Sequence, residues 1–262
     1  MSASPASDQS FNGWRTAEEI QHNLDFRKRR ALAHFEKVVG GVADRDCPIC
    51  GYHGPFSAVR HKVDVWCPSC DSRSRHRLIA LWLAGQKPIA KGARVLHFAA
   101  EESLQPAFRA VAGEYVTADL NDLFDIQLNI EAMDIPDASF DVLIANHVLE
   151  HVDDEKALAD IARVLKPGGF ALITVPMIEG WDIGHEDLTI TDPAERTLVM
   201  SDPDHRRWYG RDIKDKIERA GLVFDYFTAV EPEVTRCGLA RGEKIFLGRK
   251  PGPEPVEGAN NG

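Results

Sequence analysis

The stretch Met133–Pro176, MDIPDASFDVLIANHVLEHVDDEKALADIARVLKPGGFALITVP, decides the fold. Residues 140–145 (FDVLIA) are short, apolar and rich in branched side chains, the composition of a strand buried on both faces of a parallel sheet. Two polar side chains, Asn146 and His147, follow at its carboxyl end, where open α/β sheets hold their ligands. Asp153 and Asp154 then open a helix, with carboxylates at the positive end of its dipole. Ala157, Leu158, Ile161 and Leu165 form its apolar stripe. Lys166-Pro167-Gly168-Gly169 is expected to stop the helix and turn the chain into the next strand, 170–175. The whole unit reads as a crossover between neighbouring parallel strands.

The ordered elements D-x-S-F-D (137–141), H-V-L-E-H-V (147–152) and R-V-L-K-P-G-G (163–169), then a strand ending in Val175-Pro176, resemble class I S-adenosylmethionine (SAM)-dependent methyltransferases, in particular the broad type 11 group. The likeness spans roughly residues 92 to 249. It implies an α/β, Rossmann-like, doubly wound and mostly parallel seven-stranded sheet that binds SAM. It further implies that Asp119, followed by Leu120, holds the ribose hydroxyls at the end of the second strand, a carboxylate being able to accept two hydrogen bonds. Asp134 accepts from the adenine amino group, Ile135 packs on the ring, and Asn146 and His147 face the methionine end. The alternative for Asp119 and Asp134 is that they cap loops.

His147-Val-Leu-Glu150-His151 also matches H-x-x-E-H, an inverted zinc-protease signature. That chemistry needs both histidines on one face of a single helix. A strand running up to Asn146 instead puts His147 at a strand-to-loop junction, which argues against a protease. In the plainer reading Glu150 and His151 cap or orient the loop.

Four of five cysteines form Cys47-Pro-Ile-Cys50 and Cys67-Pro-Ser-Cys70, two C-x2-C pairs at the spacing of a four-cysteine zinc site. A prolyl turn at each pair lets the sulfurs face one tetrahedral ion, and four thiolates leave no open position, so the zinc is expected to be structural. A redox pair or disulfides are the alternatives. Tyr52, Phe56, Val63, Val65 and Trp66 supply apolar contacts for a small ribbon, His53 and His61 are spare candidate ligands, and Cys237 reads as an ordinary buried residue.

The 262 residues leave room for a large domain and an accessory module, divided as a disordered lead (1–14), a helix (15–41), a zinc ribbon (42–72), a methyltransferase domain (73–249) and a disordered tail (250–262). Thr16-Ala-Glu-Glu19 is a capping box, and Ile20, Leu24, Leu32, Phe35 and Val39 continue its helix to Gly40-Gly41. Arg27–Arg30 is a solvated helix face or a contact for an anionic substrate. Arg73, Arg75, His76 and Arg77 lie between the ribbon and a helix through 78–83. Strands are expected at 95–98, 115–118 and 127–131, helices at 102–111 and 210–220, and an antiparallel edge pair at 223–229 and 244–249. The net charge of -10 argues against a general nucleic-acid surface. No apolar run is long enough to span a bilayer and no secretory signal is visible, so a cytoplasmic protein without membrane contact is expected.

The first strand departs from its relatives. His97 stands where they carry an acid, and Ala99, Glu101 and Ser103 stand where they carry glycines. This removes the G-x-G-x-x-G fingerprint of nicotinamide enzymes. The segment resembles the L-H-F-A-P-E turn of zinc-ribbon methyltransferases, with Ala100 in the proline's place, and Glu101 is the candidate for the methionine ammonium. Residues 176–207 form an unusually long loop. Its end resembles the same subgroup's D-H-x-R-x-Y-G, matching Asp204, His205, Arg207, Tyr209 and Gly210. His205 is the first candidate for a base, His147 the second, and Arg207 could clamp an anion. The plainer reading is a lid pinned by Asp204–Arg207 pairs. Three functions follow: methylation of a small-molecule or glycan-type acceptor; methylation of RNA, with the ribbon as reader and Arg27–Arg30 and Arg73–Arg77 as contacts; or a non-catalytic interaction protein on a methyltransferase scaffold.

Overall fold

The apolar runs become the middle of one sheet. In the computed structural model, which describes residues 16–39, 41, 43–59 and 62–252, the strands are β1 (Arg94–Phe98), β2 (Glu114–Asp119), β3 (Ile126–Gln127), β4 (Phe140–Asn146), β5 (Leu165–Thr174), β6 (Val223–Phe227) and β7 (Ile245–Arg249). Their order is β3-β2-β1-β4-β5-β7-β6. Strands β1 to β5 are parallel, and β7 runs antiparallel between β5 and β6. The sequence order reverses between β1 and β4, which makes their carboxyl ends the topological switch point.

Side-chain alternation covers the sheet on both faces. Leu96, Phe98, Leu143 and Ala145 pack on one side with Leu158 and Ile161 of α1 (Asp154–Val164). Val95, Val142 and Ile144 pack on the other with Leu78, Ile79 and Trp82 of α2 (Ser74–Gln86) and Phe108 of α3 (Gln105–Val111). The amino-terminal helix, Ala17–Val39, touches the ribbon strand Ser57–Val59. It begins at the expected capping box, Glu19 N donating to Thr16 Oγ1 and Thr16 N to Glu19 Oε2. Its Ile20, Leu24, Leu32 and Phe35 side chains are exposed. Among the described residues no helix is long and apolar enough to cross a membrane.

Several expectations are corrected. The third strand is two residues at 126–127 rather than five at 127–131, and α3 begins at Gln105 rather than Glu102. The edge strands end at Phe227 and begin at Ile245, slightly inside the expected limits, and the expected helix 210–220 is limited to Ile213–Arg219. Lys166–Gly169 does not separate two elements. Phe140 pairs with Leu165 and Val142 with Phe170, so these four residues bulge out of β5 opposite Asp141 alone. Lys166 Nζ holds Asp141 Oδ2 at 2.7 Å across the bulge. Gly168 takes φ +81° there, and a Cβ on Gly169 would sit 2.7 Å from the Asp141 carbonyl oxygen. The expected lead, the tail beyond residue 252, Gly40 and His61 lie outside the described residues.

The basic stretch before the sheet has a structural use. The Arg77 side chain is fully buried. Its guanidinium donates to the carbonyls of Ser72 and Val65 in the ribbon and of Cys237 and Gly238 near the carboxyl end. It also stacks 4.4 Å over the Phe56 ring. Arg77→Met should preserve bulk but leave four buried carbonyls without this donor. At roughly 1–3 kcal/mol for each unsatisfied group, unfolding in urea should shift by about 3 kcal/mol or more; a midpoint equal to wild type would remove Arg77 from this role.

Candidate functional site

The ribbon consists of two short antiparallel pairs, 44–46 with 53–55 and 57–59 with 62–66. Each C-x2-C segment folds back on its own backbone: Gly51 N donates to Cys47 O and Asp71 N to Cys67 O, each at 3.0 Å. This brings all four sulfurs within 4.8 Å of one another. Cys47–Cys70 and Cys50–Cys67 are each 3.7 Å apart. Four sulfurs about 2.3 Å from a tetrahedral zinc stand about 3.8 Å from each other, so the donor set fits such an ion. Tyr52 stacks on Phe56 beneath it, and Cys237 is buried and unpaired.

At the carboxyl ends of β1 and β4 a polar junction forms. Glu101 Oε2 accepts from Asn146 Nδ2 at 3.2 Å and lies 3.1 Å from His97 Nε2. His76 Nε2 stands 3.5 Å from Glu101 Oε1. The other nitrogen of the buried His97 ring meets Tyr115 OH at 2.8 Å. Burial opposes ionisation of Glu101, but the nearby His76 and the hydrogen-bonded His97 outweigh it and hold the carboxyl well below its usual range. Ala99 stands in the left-handed region at φ +46°, the conformation for which its relatives' glycines suit. Neighbouring Asp119 ends β2 and accepts from Asn121 N and Nδ2 with one oxygen. Leu120 and Asp134 are exposed and Ile135 is half-buried. They lie outside the cleft described next.

That cleft, of about 860 Å³, opens between the ribbon, the loop after β4, the 176–207 segment and the chain near 234–243. His147, Glu150, His151 and His205 line it, as do Arg73 and Arg75. His147 Nδ1 lies 2.9 Å from Glu150 Oε1; since a carboxylate accepts, Nδ1 carries the proton and Nε2 keeps the lone pair in the neutral ring. His147 sits at a strand-to-loop junction at φ +52°, not on a helix, which removes the protease geometry. Burial lowers the His205 pKa below its ordinary value. From the sequence, Glu150 has only a loop-orienting role and Arg75 only a place in a basic stretch, not a position in this cleft. Nothing local marks Arg75 apart from Arg73, yet its Nε is buried without a hydrogen-bond partner and desolvation lowers its pKa.

The long loop is ordered by its own elements, the helix Pro193–Met200 and a bridge of 185–186 with 207–208. Arg207 and Tyr209 do not line the cleft. Arg207 is buried and donates to the carbonyls of Leu149 and Val152 and to Glu186. Tyr209 OH donates to Asp154 Oδ2 at 2.9 Å. The lid is pinned, as the plainer reading expects, but by Glu186 and Asp154 rather than Asp204.

A doubly wound sheet with β7 reversed, carrying its polar groups at the switch point, is the fold of class I methyltransferases. The family model described as a methyltransferase domain matches residues 92–173. The ubiquinone/menaquinone biosynthesis C-methyltransferase UbiE of Escherichia coli (strain K12 / DH10B) is 34% identical over 94 residues, covering 34% of this chain and 38% of that protein. The matched stretch thus spans well under half of that relative's length. UbiE of Serratia proteamaculans (strain 568) is 29% identical over 228 residues, 76% of this chain and 84% of that protein. Among solved structures, the [4+2]-cyclase SpnF shares the fold at TM-score 0.50 and 16% identity, covering 72% of this chain and 86% of its own. Residues 92–173 thus match a methyltransferase domain, inside a fold that SpnF shares.

Tyr209→Phe removes one hydrogen bond at the lid's buried pin and nothing from the cleft. Stability should fall by about 1–2 kcal/mol in denaturant unfolding, while calorimetric affinity for SAM stays at the wild-type value.

Proposed function

We propose that this chain transfers a methyl group from SAM to a small polar acceptor bound in the cleft. One observation carries the reading: the switch-point ends of β1 and β4 join Glu101 to Asn146, next to His147 at the cleft wall. The methionine end of SAM is a zwitterion. Glu101 is a carboxylate suited to its ammonium, and Arg75 is a guanidinium whose buried Nε has no hydrogen-bond partner, suited to its carboxylate. Asp119 would hold the ribose through the oxygen not engaged by Asn121, with Asp134 and Ile135 at the adenine and His97 and Ala99 shaping the turn beneath Glu101. Bound SAM supplies an electrophilic methyl on a sulfonium. The protein's task is alignment and removal of the acceptor's proton. His147 is oriented for the second task by Glu150, and His205 Nε2 stands 4.0 Å from the same carboxylate oxygen.

A cleft of about 860 Å³ suits a drug-sized ligand, and the named relatives act in quinone biosynthesis. The RNA reading loses support, because the buried Arg77 and His76 cannot meet a phosphate backbone. The four cysteines would hold a structural zinc that shapes the cleft wall carrying Arg45, Asp64 and Val65.

Glu101→Gln should weaken SAM binding at least tenfold in calorimetry; unchanged affinity removes the ammonium site. His147→Ala should lower turnover by at least a hundredfold, within the usual range for general-base loss, with SAM affinity retained. If turnover survives, His205 takes the role. A thiol-reactive mercurial should release one zinc per chain, read by a chromophoric chelator.

A further inference from the structure

A second donor cluster lies in the cleft wall, apart from the cysteines. Glu150, His151 and His205 each offer one donor atom, and these lie within 4.8 Å of one another. Two come from the loop after β4 and the third from the far end of the lid. Glu150 is fully buried. Its Oε1 meets His147 Nδ1, but its Oε2 has no hydrogen-bond partner, and neither has the buried Nδ1 of His205. Each such orphan costs roughly 1–3 kcal/mol, and native proteins keep them where a further species completes them.

The chemistry of the donors narrows that species. Two imidazoles and one carboxylate form the mixed nitrogen and oxygen set that first-row divalent ions accept, whereas calcium and magnesium favour oxygen alone. The surroundings hold the set in place. Arg206 N donates to the Glu150 carbonyl at 2.8 Å, tying the lid strand to the loop. Arg207 donates to the carbonyls of Leu149 and Val152, on either side of Glu150 and His151. Such outer contacts fix ligand orientation.

We propose that Glu150, His151 and His205 bind a divalent first-row transition ion at the cleft wall, leaving positions open to water or to oxygen atoms of a bound acceptor. His147 is not a ligand in this arrangement; it buttresses Glu150. The site stands whether or not the chain transfers methyl groups, because its donors lie outside the Glu101 junction.

The test uses the full chain with one zinc already held by the cysteines, titrated with Zn²⁺ in a calorimeter. Wild type should take up one further equivalent. His151→Ala, an exposed position, should bind that equivalent at least tenfold more weakly while keeping the wild-type melting temperature, and Glu150→Gln should weaken it similarly. A wild-type chain that binds no second Zn²⁺, or variants that bind it as tightly as wild type, overturns the proposal. Titration of the same samples with SAM separates this outcome from failure of the methyl-transfer reading.

Discussion

A buried guanidinium bridges the two parts of this molecule, alongside the Arg45–Thr235 and Arg236–Asp46 pairs. Arg77 sits on α2, which packs against the sheet, yet its hydrogen bonds run outward to the ribbon and to the segment after residue 236. Desolvation lowers its pKa from the ordinary arginine value, but an arginine so lowered still carries its charge at neutral pH. Four carbonyl dipoles and the face of Phe56 compensate that charge. The consequence reaches the cleft. Ribbon residues Arg45, Asp64 and Val65 and the 234–241 segment both contribute to its wall, and both are fixed through the same side chain. The ribbon therefore belongs to the architecture of the site, not to an appendage.

The opposite wall is held by a comparable device. Asp154, at the start of the helix after β4, receives Tyr209 OH and lies 3.0 Å from Lys216 Nζ. Arg207 beside it reaches back to the loop carbonyls. The lid's D-H-x-R-x-Y-G residues divide their work accordingly: His205 faces the cleft, while Arg207 and Tyr209 lock the backbone that presents it. Within 207–209 alternate positions point to opposite sides, Trp208 to the cleft and Arg207 and Tyr209 away from it, while His205 precedes this extended segment.

This division explains what could be read in the chain and what could not. The β4–helix–β5 unit was legible because its apolar residues repeat at the periods of buried strand and amphipathic helix. The capping box and cysteine spacing were legible because their partners lie close in sequence. The glycine pair after Lys166 misled, since the residues that break a helix also suit a bulge inside a continuing strand. Burial of Arg77 and His76 was not legible. It depends on carbonyls more than 150 residues away for the first and on Glu101 for the second, and no local pattern encodes either. Glu150 was read as a loop residue for the same reason: its environment arrives with the lid.

At the end of β1 the carboxylate stands in the turn rather than on the strand. It is Glu101, and His97 of the strand supports it. A carboxylate with a side chain only 17% exposed loses much of its hydration and needs charge and donors around it. His76, His97 and Asn146 supply them from three separate elements. Ala99 tolerates a left-handed backbone at this turn at a cost of order 1 kcal/mol, small against the donors that converge one turn later. SpnF, named as a cyclase, has the same sheet, so the sheet alone does not set the reaction. What a given chain does follows from which side chains gather at its strand ends, and here Glu101, Asn146 and a His147 held by the buried Glu150 meet there, with Arg75 of α2 lining the same cleft as His147.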